Sequence, residues 1–296
     1  MRYRVLHTTR YRYSEEVSLS HSLVTCQPRD TKHQHCLMHS LRVQPHPPEV
    51  FKRRDALGNW VSFFSLEQRH RQLTIEATSL VEVEPFSPAE QESLSWSQAV
   101  AALEHQDPRL EQWVYASPRV SLKAEEYARP CFVENRSLLA CIADLNQRIH
   151  QDFRYVPGAT EVTTSVERVL ELRKGVCQDF AHLMLSGLRA HKVPARYVSG
   201  YLLTTPPSGR PRLVGADASH AWISAWVPPL GWIDFDPTNN CLCAGEHIVL
   251  AWGRDYAEVA PVRGVVLGGG QQRMSVSVDV QPDSGIFQSG DAFTGP

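Results

Sequence analysis

"RKGVCQDFAHLMLSGLRA", residues 173–190, seats a cysteine at the head of an apolar stripe. Cys177, Phe180, Ala181, Met184, Leu185 and Leu188 recur at i, i+3, i+4, i+7, i+8 and i+11, the spacing of a helix that buries one face. Gly175 just ahead can end a preceding helix over "TTSVERVLELRKG" (163–175), where Thr164 and Glu167 have capping-box spacing. The thiol therefore falls in the first turn, where unpaired backbone N–H groups and the helix dipole favour a thiolate. A small buried hydrophobe fits the same place. On this segment alone, nucleophile and core residue stand level.

The rest of the chain narrows the choice. Its 296 residues suggest two domains at roughly 150 residues each, and 42% hydrophobic with 21% charged residues is a globular composition. A net charge of −2 gives no pull toward nucleic acid or an anionic membrane surface. The opening "MRYRVLHTTRYRYSEEV" (1–17) lacks the apolar run of a signal peptide, and no stretch has bilayer-spanning length. Seven cysteines, an odd number without a regular framework, read as reduced thiols and predict a cytoplasmic protein.

Residues 1–90 read as a β-rich, sandwich-like domain. "DALGNW" (55–60) has hairpin-turn chemistry, and in "RQLTIEATSLVEVEP" (71–85) Leu73, Ile75, Ala77, Val81 and Val83 alternate with Thr74, Glu76, Thr78, Glu82 and Glu84. Residues 91–135 read as a helical linker. The span 136–262 reads as the core, opening on a helix with Leu138, Ile142, Leu145 and Ile149 on one stripe. "TTPPSGRPRLVGADAS" (204–219) is predicted as a surface loop, and 263–296 as a β extension with a frayed Gly- and Ser-rich tail.

"HAWISAWVPPLGWIDFDPTNN" (220–240) reads as a β-hairpin about the Pro-Pro-Leu-Gly turn at 228–231. The midpoint of positions 220 and 236 is 228, so His220 and Asp236 are expected opposite or nearly opposite, on one face. A carboxylate beside an imidazole fixes its tautomer and leaves the second ring nitrogen to take a proton from a nucleophile.

Four motifs in order, Gly-x-Cys at a helix start, Val-Pro-Ala-Arg before a strand, His-Ala-Trp, and Gly-Trp-x-x-x-Asp-Pro-Thr, resemble the bacterial branch of the transglutaminase-like superfamily. The likeness extends to the first 85 residues and to "FRYVPGATEVTTS" (153–165). It implies an α+β fold, a papain-like/transglutaminase-like core with a helix packed on an antiparallel sheet, and an N-terminal β-sandwich-like domain. It also implies Cys177 as nucleophile, His220 as base and Asp236 as its orienter. The Cys177 backbone N–H is one expected oxyanion donor. A side-chain donor upstream is often an indole in this family, and no tryptophan lies just ahead of Cys177. Tyr155 is the candidate instead, or else a packed aromatic. Gln178 and Asp179 are cleft candidates, and Asp179 equally suits the dipole of its own helix.

No cofactor is expected. "CLC" (241–243) with His247 lacks a second ligand pair, "HQHC" (33–36) suits a solvated strand, and "GGGQQ" (268–272) follows a strand, as a flexible loop would. No acidic loop has calcium spacing, unlike calcium-activated animal transglutaminases. The expected partner is a peptide or protein bearing a glutamine, isopeptide or γ-glutamyl amide, with no nucleic acid or membrane. Amide hydrolysis through a thioester is the first reading; protein-glutamine transamidation and a non-catalytic scaffold are the alternatives, with arylamine acetyl transfer more distant.

Overall fold

One long strand organises the first part of the molecule. In the computed structural model, which describes residues 1–86, 93–103, 108–204 and 219–283, this is β1 (Arg2–Val24), followed by β2 (Gln34–Gln44), β3 (Val50–Arg54), β4 (Trp60–Leu66) and β5 (His70–Val83). Residues 2–12 of β1 pair antiparallel with β5, and residues 20–24 pair with β4. Register breaks between Arg12 and Val17, where residues 67–69 also turn from β4 into β5, so the sheet bends there. Both halves feed one cluster: Leu73, Ile75 and Ala77 meet Val24, Phe64 and Leu66. The sandwich-like domain is thus a sheet doubled on itself. Alternate burial along β5 follows from the two-residue period of a strand with one covered face.

The core follows: α1 (Trp96–Leu103), α2 (Glu125–Ala128), α3 (Leu138–Asp152), β6 (Arg154–Tyr155), α4 (Val166–Leu172), β7 (Lys174–Gly175) and α5 (Cys177–Ala190). Strands β8 (Ala195–Leu202), β9 (Ser219–Val227), β10 (Gly231–Asp236), β11 (Cys241–Leu242) and β12 (His247–Gly253) form an antiparallel sheet ordered β11-β10-β9-β8-β12. Helix α6 (Tyr256–Val259) follows. Helix α5 lies across β8 and β9.

The apolar stripe predicted one buried face for α5, but the helix is covered almost all round. The stretch from 122 to 128 and α3 close over its outer side, and Gly187 makes room, since an added Cβ would stand 2.8 Å from that of Ala128. Arg189 is buried there, and its guanidinium donates to the carbonyls of Ala195, Tyr115 and Arg254. The capping residue of α4 also differs from expectation: Ser165, not Thr164, accepts from Arg168 N.

Strands β13 (Val262–Gly268) and β14 (Gln272–Pro282) return to the first sheet and pair with the remaining edge of β1, β13 along residues 17–24 and β14 along residues 3–13. The first sheet is therefore completed by residues far beyond position 90. The glycine-rich 268–272 stretch is not a loose loop. Gly269 N donates to Glu16 O, and Glu15 N and Ser14 N donate to Gly269 O and Gln271 O, so the stretch follows the bend of β1. Gly268 has φ +88°, and an added Cβ would meet Glu16 O at 2.6 Å.

Two amide side chains join the sheets. Gln34, expected on a solvated strand, is 2% exposed and bonds both backbone groups of Val249 at 2.8 Å; Asn59 does the same for Trp252 at 2.9 and 3.0 Å. Together they satisfy the outer edge of β12, which would otherwise present open N–H and C=O groups. Of the predicted 204–219 loop, residues 205–218 lie outside the described residues, as does the tail from 284. Among the described residues no helix is long and apolar enough to cross a membrane.

Candidate active site

Cys177 is the first residue of α5, and its place is pinned from behind. Asp179 accepts from Val176 N at 2.8 Å and from Thr160 Oγ1 at 2.6 Å, capping the helix start. Its carboxylate is 3% exposed and turned inward, so Asp179 caps its own helix and does not line the cleft. Burial raises its pKa, while the two hydrogen bonds pull the other way. An added Cβ at Gly175 would stand 2.7 Å from Asp179 Oδ2, which explains the glycine two residues before the sulfur. Parallel pairing of β6 with β7 sets Tyr155 beside Gly175. The Tyr155 ring is 53% exposed and outside the cavity wall, yet its hydroxyl pKa is raised, by burial first and then by negative charge on Cys177. Gln178 lines the cleft and donates to Val162 O at 3.1 Å.

The β9–β10 hairpin carries the other two groups. Val227 pairs with Gly231 and Ile223 with Phe235, so residues 228–230 form the turn and Gly231 already belongs to the strand. The ladder's next step sets Asp236 against Trp222. His220 is thus the diagonal neighbour of Asp236 rather than its direct partner, two positions off the expected register. An even offset preserves the face. His220 Nε2 lies 2.7 Å from Asp236 Oδ2, and Cys177 stands close enough to the ring to raise its pKa. With Nε2 engaged, Nδ1 is the nitrogen left for the sulfur.

Asp236 is fully buried and accepts from five donors. His220, His247 at 3.1 Å and the Asn239 amide at 2.6 Å converge on Oδ2, and the backbone N–H groups of Thr238 and Asn239 reach Oδ1. Burial alone would raise this carboxyl, but bonds from His220, His247 and Asn239 hold it far below the usual carboxylate range. Burial likewise works against a charged His220. Hydrogen bonds to Asp236 and Cys177, and their charges, outweigh it and raise the imidazole from 6.5 to about 10.

His220, Asp236 and His247 place one ligand atom each within 4.8 Å of one another. Both Nε2 atoms address the same carboxylate oxygen at hydrogen-bond distance, so this donor set fits a proton-bonded network rather than a cation cage. Burial pushes the Cys241 thiol up to about 11 and raises Cys243 well above the usual thiol range, which favours neutral thiols over metal ligands.

The sulfur and imidazole open into a cavity of about 480 Å³ between three walls. Val176, Cys177 and Gln178 form the first, and Tyr197, Ser199 and Ser219 to Ala221 the second. The third comes from the first sheet and its approach: His7, Thr9, Tyr11, Met274 and Val276, with Tyr256, Pro261 and Val262. A wider depression of about 770 Å³ lies beside Trp113 and Trp226, and no nucleophile is among its described lining residues. Sequence reasoning missed His247 and Asn239 as partners of Asp236, and missed the third wall. Only Asn239 left a local signal, three residues past the carboxylate in a turn.

Known proteins resemble the chain along nearly all its length. Residues 3–82 match the family described as bacterial transglutaminase-like N-terminal region, and residues 125–237 match the transglutaminase-like superfamily. An uncharacterized protein of Mycobacterium tuberculosis is 39% identical over 307 residues, covering 96% of this chain and 94% of that protein. A protein-glutamine gamma-glutamyltransferase of Pseudomonas aeruginosa is 33% identical over 180 residues, 57% of this chain but 26% of that protein. A solved structure from Cytophaga hutchinsonii, described as a candidate cysteine protease, superposes with a TM-score of 0.77 at 22% identity over 95% of this chain and 90% of its own.

Proposed function

Because the chain belongs to the transglutaminase-like superfamily of cysteine enzymes, we propose that it cleaves carboxamides through a thioester on Cys177. The observation that carries this reading is the His220 ring, held through Nε2 by Asp236 at 2.7 Å and lining the same cavity as Cys177, whose side chain raises its pKa. His220 Nδ1 takes the thiol proton while Sγ bonds the amide carbon, and negative charge moves onto the carbonyl oxygen. The Cys177 N–H, left without an intrahelical acceptor at the first residue of α5, is placed to receive that charge. His220 then protonates the departing nitrogen, the C–N bond breaks, and a thioester remains. Water, deprotonated by the same ring, attacks the thioester carbon, and the acid leaves as the thiol is restored. General-base assistance of this kind contributes about 10²–10⁴ in rate.

Transamidation is the second reading, favoured by the name of the Pseudomonas aeruginosa relative. There a primary amine replaces water at the thioester, and the chemistry before that step is identical. We place the activity in a reducing cytoplasm, a placement supported by seven free cysteines. Incubating the protein with glutaminyl and isopeptide-linked peptides, with and without a primary amine, tests the proposal. Ammonia or free amine without added amine supports hydrolysis, and an amine adduct supports transfer. Wild-type protein that releases nothing beyond what Cys177→Ala releases overturns both.

A further inference from the structure

Strand β14 keeps a core-type pattern beyond the point where the described core covers it. Met274, Val276, Val278 and Val280 share one face, alternating with Arg273, Ser275, Ser277 and Asp279. Val278 and Val280 are fully covered by the core, whereas Met274 is 59% and Val276 47% exposed. Those two are the residues that face the sulfur's cavity, and the ladder sets Tyr11 beside Met274 and Thr9 beside Val276 on the same face. An apolar surface left open inside a reaction cavity is covered when something enters it.

We propose that Tyr11, Met274 and Val276 form a specificity subsite, and that it accepts an aliphatic or aromatic side chain of the amide substrate next to the bond attacked by Cys177. The proposal rests on the catalytic reading of Cys177. The patch is continuous with the cavity that holds the sulfur, which makes the substrate its occupant. The chemistry of the lining points the same way. No Asp, Glu, Lys or Arg is among the described lining residues, so a charged side chain seated on Tyr11, Met274 and Val276 would lose water with no ionic group in that patch to replace it. His7, the histidine of β1 that lines the cavity, is occupied by Tyr201 and Thr9 and is kept neutral by burial down to about pH 4. The first sheet thus contributes selectivity to chemistry housed in the other part of the molecule.

Alkylation of Cys177 by N-substituted iodoacetamides tests this without a known substrate. Sγ displaces iodide from each reagent, and peptide mapping reports the rate at each cysteine. The readout is the ratio of N-phenethyl to N-hydroxyethyl reagent at Cys177, divided by the same ratio for glutathione, which cancels intrinsic sulfur reactivity. A ratio of about tenfold or more is expected for wild type, in line with apolar-pocket discrimination. Met274→Ser with Val276→Ser is expected to bring it close to one, and Met274→Leu to retain it. A wild-type ratio equal to that of glutathione, or a high ratio that survives the double serine variant, overturns the subsite. A high, serine-sensitive ratio upholds it even if Cys177 reacts no faster than the other six cysteines, a result that counts against the catalytic reading alone.

Discussion

Asp236→Asn removes one charge and nearly no volume, and the five donors around the carboxylate make its consequence calculable. An amide has a single acceptor oxygen. With that oxygen at the Oδ2 position, its NH₂ group faces the N–H groups of Thr238 and Asn239; turned round, it faces His220, His247 and Asn239. At least two buried donors then lose their acceptor, at about 1–3 kcal/mol each. This is a serious loss, yet within a typical stability of roughly 5–15 kcal/mol. His220 has one escape, which is to carry its proton on Nδ1 and accept on Nε2. That tautomer presents an N–H to Cys177 and can no longer take the thiol proton. Asp236 and Cys177 outweigh burial and raise His220 to about 10, and without the carboxylate the larger part of that support is gone. General-base assistance is worth about 10²–10⁴, so iodoacetamide labelling of Cys177 at about pH 6.5 is expected to slow by about 100-fold. Turnover is expected to fall by about 10⁴, as in serine-protease triads whose aspartate becomes asparagine. A folded variant, verified by near-UV circular dichroism, that is labelled within about threefold of wild type at pH 6.5 would refute the role given to Asp236.

Stability is expected to drain away as pH falls from 6.5 toward 4. Burial lowers His7 and His182 to about 4 in the folded protein, so unfolding takes up a proton at each in that window, worth roughly 3 kcal/mol apiece at its acid end. Urea titrations at pH 7.5 and 4.5 check the sign, and equal midpoints would be inconsistent with two buried neutral imidazoles. Gly200→Ala is expected to cost at least about 3 kcal/mol, because the new Cβ would lie 2.2 Å from the Trp222 ring and 2.3 Å from Ile248 O. A denaturation midpoint near that of wild type would show that this crossing of β8 is looser than its geometry implies.

What could be read from the chain was local. The stripe from Cys177 to Leu188 has a period of its own, and the turn between β9 and β10 lies within twenty residues of both groups it brings together, so parity survived a two-place error in register. His247 had no such signal: it reaches Asp236 from the far edge strand β12, and nothing in its own neighbours announces that. Gln34 looked like a residue for water because its flanks are polar, whereas its amide completes a strand edge more than two hundred positions away. The Gly268–Gly270 run resembled slack chain because glycine frequency cannot distinguish freedom from close approach. The same limit applies to the third wall of the cavity, where β14 pairs with β1 across nearly the whole sequence.

That last pairing bears on how the molecule is made. A ribosome delivers β1 early and β14 late, and at roughly 5–20 residues per second the interval is on the order of 10–50 s. During that time one border of β1 has no partner, an invitation to chaperones. The thiol and imidazole emerge before the wall that confines their substrate. On the proposed reading, whatever discrimination that wall supplies must wait for β14, well after the reactive groups have been made.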